Sequence, residues 1–108
     1  MRLASLAAAL ATLALAGCGG GSSPTPHHHV RLTAFERRGK ALFIGTCGAC
    51  HTLADAGTGG TAGPALDSPW LASRVRETIA DGPDGMPADL FTGRAAAEVA
   101  AYVAAATK

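Results

Sequence analysis

The chain has 108 residues and a mass of 10.7 kDa, with 9 basic and 8 acidic side chains and three cysteines. This length admits one small domain and excludes an enzyme with its own substrate domain; the near-neutral charge, with no basic run, excludes nucleic-acid binding through phosphates. Apolar residues reach 48 % but aromatics only 5 %, so the core is thin and needs a staple such as a disulfide, a metal or a cofactor.

Residues 1–17 read as a targeting segment. Arg2 is a short positive head, and Leu3 to Ala16 is apolar apart from Ser5 and Thr12. As a helix this stretch is about 21 Å long, too short for a hydrocarbon layer of roughly 30 Å, which favours a secretory signal over a membrane span. Leu15-Ala16-Gly17-Cys18 resembles a bacterial lipobox, in which Cys18 receives diacylglycerol and becomes the mature N-terminus. The plainer alternative is a signal peptide that ends near a cysteine by chance. Removing residues 1–17 takes Arg2 away and leaves 8 bases against 8 acids. Residues 18–32 then form a Gly/Ser/Pro/His tether, which cannot support a packed core. Within it His27-His28-His29 offers a transition-metal site, but no carboxylate or thiol lies close by in sequence, which favours a solvated run.

Residues 33–108 form the folded domain, in helices joined by Gly- and Pro-rich loops. Thr33-Ala34-Phe35-Glu36 has capping-box spacing. Behind it Phe35, Gly39, Leu42 and Phe43 share one helical face, with Glu36, Arg37, Arg38 and Lys40 mostly off it. Ser68-Pro69 predicts the start of a second helix that carries Leu71, Val75 and Ile79 and stops at Gly82-Pro83. A third helix follows Thr92, with Ala95, Val99, Tyr102, Val103 and Ala106 on one face. No stretch alternates with period two for more than a few residues, so the fold class is all-α, with three to five short helices.

Chemistry concentrates at Cys47-Gly48-Ala49-Cys50-His51, the spacing of a c-type haem attachment site. On a helical turn, positions i, i+3 and i+4 share a face, so both thiols reach the vinyl groups while the imidazole points at iron. Three other readings compete. A thioredoxin-like dithiol needs a βαβ setting, a zinc site needs a fourth ligand, and a Cys47–Cys50 disulfide leaves His51 without a role. Export favours haem, since c-type haem is attached outside the cytoplasm. For the iron's sixth position the mature chain offers a single methionine, Met86, in Asp84-Gly85-Met86-Pro87. Filling a core gap is its ordinary alternative role.

The stretch from about Thr33 to Lys108 resembles a small bacterial class I cytochrome c. Gly39, Phe43 and Tyr102 resemble the glycine and aromatics where that family's terminal helices meet. Gly63-Pro64 resembles its Gly-Pro turn, and Gly85-Met86-Pro87 its distal-ligand loop. The resemblance implies one haem c per chain, covalent through Cys47 and Cys50, with His51 and Met86 as axial ligands. It also implies that the Pro64 carbonyl orients His51. Trp70 is a candidate to pack on the haem edge or donate to a propionate, and Arg74 and Arg76 are candidates to neutralise one.

A six-coordinate haem suits one-electron transfer rather than catalysis at iron. The expected function is a lipid-anchored electron carrier on the periplasmic or extracytoplasmic side, not an enzyme, serving redox partner proteins. The alternatives are an electron-entry subunit of a larger oxidase or dehydrogenase, and a haem-based gas or redox sensor. The thin core further predicts that folding and haem attachment are coupled. If Cys18 is acylated, the wild-type protein partitions with membranes and detergent, and Cys18→Ala becomes soluble or stays unprocessed. Fractionation and N-terminal mass analysis read this directly, and a soluble wild type with an unmodified N-terminus would sink the anchor.

Overall fold

The computed structural model describes residues 30–108; the signal segment 1–17, Cys18 and the histidines at 27–29 lie outside the described residues. Helix α1 spans Ala34–Gly45, α2 spans Ala72–Asp81 and α3 spans Gly93–Ala106. Between α1 and α2 lies a ladder of two-residue antiparallel strands, β1 (Thr52–Leu53) and β2 (Thr58–Gly59), in which Thr52 faces Gly59 and Leu53 faces Thr58. Strands this short leave no alternation to read. The domain is otherwise helical, as expected.

Helix α1 begins where its capping box predicts. The Glu36 amide donates to Thr33 Oγ1 at 3.2 Å, and the Thr33 amide donates to Glu36 Oε2 at 2.7 Å, satisfying two of the free amides at the helix start. The second helix starts later than Ser68-Pro69 suggested. Its cap is Leu71, with extended backbone (φ −82°, ψ 137°) and no side-chain cap. The preceding residue is held elsewhere: the Trp70 amide donates 3.1 Å to Thr107 Oγ1, at the end of α3. That long-range bond keeps residue 70 out of the helix. Gly82, with φ 55°, ends α2 as predicted.

The core forms where α1 and α3 cross. Gly39 is buried, and a Cβ there would collide with the backbone carbonyl of Glu98 and lie 2.9 Å from Tyr102 Cβ. Only a residue without a side chain lets the two backbones approach this closely. One turn on, the Phe43 and Tyr102 rings meet edge to face, with centroids 5.9 Å apart and planes at 65°, an arrangement worth about 0.5–1.5 kcal/mol beyond area burial. Tyr102 is fully buried, and its hydroxyl donates 2.7 Å to Asp55 Oδ2, which also receives Lys40 Nζ at 3.2 Å. Burial first, then this carboxylate, pushes the Tyr102 phenol well above its ordinary range.

Burial on α3 is wider than the predicted stripe. Ala96, Glu98, Val99, Ala100, Tyr102, Val103 and Ala105 are buried, whereas Ala95 and Ala106 are half-buried, because α3 packs against both other helices. The buried Glu98 carboxylate is held by Arg94 Nε at 2.7 Å and Arg38 Nε at 3.6 Å. Gly39→Ala tests the crossing. Alanine improves helix propensity by about 1 kcal/mol, but overpacking against a fixed carbonyl costs about 1–3 kcal/mol. We expect net destabilisation, seen as a lower thermal midpoint of the holoprotein by circular dichroism; an unchanged or raised midpoint would overturn the close crossing.

Candidate haem-binding site

The site starts where α1 runs out. The Thr46 amide bonds to the Leu42 and Phe43 carbonyls at 3.1 and 3.3 Å, and Cys47–Ala49 continue as a single tight turn. The Cys50 and His51 amides both donate to the Cys47 carbonyl, at 3.1 and 2.9 Å. Cys47, Cys50 and His51 therefore sit on consecutive levels of one turn, as the motif requires. Cys47 is buried, Cys50 is exposed and both thiols are free. Desolvation pushes the Cys47 thiol up to about 11, against the pull of its backbone hydrogen bond. The competing readings find no support here. No disulfide joins the pair, no βαβ unit surrounds it, and no set of three or more metal-ligating side chains gathers among the described residues.

Next to this turn opens an apolar cleft whose empty space, with the solvent at its mouth included, is about 520 Å³. Its walls come from every helix: Phe43 and Cys47, then Val75 and Ile79 of α2, then Val99 and Val103 of α3. His51 lines it as well, and its Nδ1 lies 2.8 Å from the Pro64 carbonyl. A carbonyl can only accept, so Nδ1 carries the proton and Nε2 keeps its lone pair for a metal. Gly63 fixes the ring plane. A Cβ there would lie 2.5 Å from His51 Cε1 and 2.9 Å from Nδ1. The segment is clasped in place by the Gly63 amide to Cys50 O and the Leu66 amide to Thr52 O, both 2.8 Å.

Met86 reaches the same cleft from a loop after α2. Pro83–Gly85 form a tight turn, closed by the Met86 amide to Pro83 O at 3.0 Å, and the Asp89 amide returns to Ile79 O at 2.9 Å. Within this short span Asp84 (φ 52°), Gly85 (φ 87°) and Asp89 (φ 50°) are all left-handed. The backbone at Met86 is thus set by its neighbours rather than by a helix.

Of the residues expected at the site, Cys47, His51, Pro64, Trp70 and Met86 line one cleft; Cys50 stands exposed beside it. Trp70 Nε1 is buried with no hydrogen-bond partner, the one such side-chain atom among the described residues. An unpaired buried donor costs about 1–3 kcal/mol, and the carboxylate of a haem in this cleft would satisfy it. A soft sulfur donor, an imidazole of fixed tautomer, two free thiols, apolar walls and an orphaned donor together fit a haem. Arg74 and Arg76 do not join them. Neither lines the cleft, and Arg74 Nη1 is 3.0 Å from Glu77 on its own helix.

Sequence reasoning missed Asp55, Glu98 and Thr107. Each is polar in an unremarkable position, and each acts through a partner distant in sequence or on another helix. It also missed Thr78, on the cleft wall.

Residues 34–103 match the protein family described as cytochrome C oxidase, cbb3-type, subunit III. Among solved structures, the c-type cytochrome SorU from Sinorhizobium meliloti is 33 % identical with a TM-score of 0.61, and the match covers 68 % of this chain and 91 % of that one. No curated protein matches the chain. The geometry makes its own prediction. Gly63→Ala should push the imidazole off the Pro64 carbonyl and weaken its hold on iron, giving a mixed-spin optical spectrum in place of a single low-spin one. A spectrum identical to wild type would mean that the close approach of Gly63 does not set the ring.

Proposed function

The chain belongs to the c-type cytochromes, as a small class I member, and from that premise we propose that it is a membrane-anchored one-electron carrier. In this reading Cys47 and Cys50 hold one haem by thioether bonds, with His51 and Met86 on the iron. The observation that carries it is the 2.8 Å bond from His51 Nδ1 to Pro64 O, in a cleft that Met86 shares. When bound, the haem supplies a one-electron Fe(III)/Fe(II) couple whose potential a methionine ligand raises.

The protein's own part is to hold still. Pro64 makes the His51 imidazole a better donor by drawing on its N–H. The turn at Pro83–Gly85 presents Met86 without needing a flexible arm. Phe43, Val75, Ile79, Val99 and Val103 keep water from the cleft. With both axial positions filled by side chains, substrate binding is disfavoured and electron transfer is favoured. In this reading Cys18 carries the lipid, residues 18–32 tether the domain to it, and the domain stands on the extracytoplasmic side. The name of the matched family favours a second reading, a fixed subunit of a terminal oxidase; co-purification with membrane redox complexes separates a bound subunit from a free shuttle.

Haem that survives acid–acetone extraction would support attachment, and haem lost to the solvent would end this reading. Met86→Ala should lower the midpoint potential by a sizeable part of the roughly 0.8 V that axial ligands command. It should also abolish the weak sulfur-to-iron band of the oxidised form and let carbon monoxide bind the reduced one. Wild-type protein that binds carbon monoxide readily would instead point to a sensor.

A further inference from the structure

Among the described residues, three large apolar side chains stand exposed, each within four residues of one that lines the cleft. Ile44 (49 % exposed) follows Phe43, Leu71 (74 %) follows Trp70, and Leu90 (37 %) comes four residues after Met86. Pro64 on the cleft wall and Pro87 beside Met86 are exposed too. Exposed apolar side chains next in sequence to cleft residues favour a contact site over ordinary surface scatter.

Charge in the segment that carries Met86 is one-sided. Four acids have partners within the fold: Glu36 accepts from the Thr33 amide, Asp55 pairs with Lys40, Glu77 with Arg74, and Glu98 with Arg94 and Arg38. The other four, Asp67, Asp81, Asp84 and Asp89, are exposed and form no ion pair among the described residues. Asp67 follows the cleft residue Leu66, and the remaining three bracket Met86. No lysine or arginine occurs between Arg76 and Arg94. On α2, Arg74, paired with Glu77, and Arg76 flank the cleft residue Val75; the other bases of residues 30–108 are Arg31, Arg37, Arg38 and Lys40 on and before α1, Arg94 on α3 and Lys108. These carboxylates do not converge as a metal site does; they are spread along an exposed loop.

We propose that the Met86 side of the cleft docks a protein redox partner whose contact face is basic around an apolar centre. The proposal rests on the haem being held between His51 and Met86 as described above. Unpaired carboxylates steer a basic face toward the opening and repel an acidic one. The apolar residues then give short-range contact where the cofactor lies nearest the surface. The charge contribution weakens with salt, because exposed charges are screened beyond about 10 Å at 0.1 M.

The test uses the full-length, reduced holoprotein and two small oxidants in stopped flow. Tris(phenanthroline)cobalt(III) is cationic with apolar ligands and mimics the proposed face; ferricyanide is its anionic counterpart. Asp84 and Asp89 are changed together to Asn, which tolerates their positive φ. The cobalt rate should fall with rising ionic strength and drop several-fold at low salt in Asp84→Asn/Asp89→Asn, while the ferricyanide rate rises. Oligolysine should slow cobalt oxidation of the wild type and spare that variant. Leu71→Ser should slow the cobalt reaction too, and Arg37→Gln on α1 should leave it unchanged. A salt-independent cobalt rate, an inert double variant, or an Arg37→Gln effect of equal size would overturn the proposal. A holoprotein that neither oxidant oxidises would overturn the electron-transfer reading itself, and this one with it.

Discussion

Everything else in this domain depends on how closely α1 and α3 approach at Gly39. The missing side chain lets the α1 backbone lie against the Glu98 carbonyl, and that closeness brings Phe43 onto Tyr102 one turn later. From this crossing α1 delivers Cys47 and His51 to the cleft, while α3 supplies Val99 and Val103 as its opposite wall. The Tyr102 hydroxyl adds a third connection, to Asp55 in the turn between β1 and β2, four residues past His51. A shift of one helix over the other would therefore disturb the proposed covalent anchor, the proposed ligand His51 and the cleft wall together.

The core around that crossing is small, and the composition explains why it suffices. Ala96, Ala100 and Ala105 are buried on α3, and small side chains let helices come close but remove little apolar area from water, at ~25 cal/mol per Å². Close approach is gained and bulk is lost. The apolar cleft is where the bulk is missing, and a planar apolar cofactor fitted there joins both sides of one core. Trp70 fits this account, because its indole nitrogen is buried without a partner on a wall of the cleft.

The two proposed axial ligands are supported by different means. His51 is oriented by side-chain hydrogen bonding and steric confinement, through Pro64 and Gly63. Met86 is placed by backbone conformation. Left-handed residues at 82, 84, 85 and 89 surround it, two of them aspartates that adopt this region at a modest energetic cost. A turn built this way resists change when the iron changes charge, which is what a fast electron carrier requires. It also leaves the aspartate side chains pointing to solvent, so the loop that positions Met86 is also the acidic edge of the opening.

The sequence by itself determined what is local. Thr33 and Glu36 set the start of α1 through a capping box four residues long, and Gly82-Pro83 ended α2. The spacing of Cys47, Cys50 and His51 named the cofactor chemistry, since three side chains on one turn need no distant partner to define their geometry. The single methionine of the mature chain pointed to Met86, resemblance added Pro64, and the fold brings both to the cleft. The tertiary structure decided what depends on partners far along the chain. It moved the start of α2 from Ser68 to Ala72, because Thr107, 37 residues from Trp70, holds that amide. It buried Glu98 between two arginines and gave Tyr102 a carboxylate 47 residues away. It also turned Arg74 toward Glu77 rather than the cleft. Local pattern specifies elements and motifs because their energetics lie within one turn. The partner of a buried polar group is chosen only when two distant segments pack, and no window of sequence contains both.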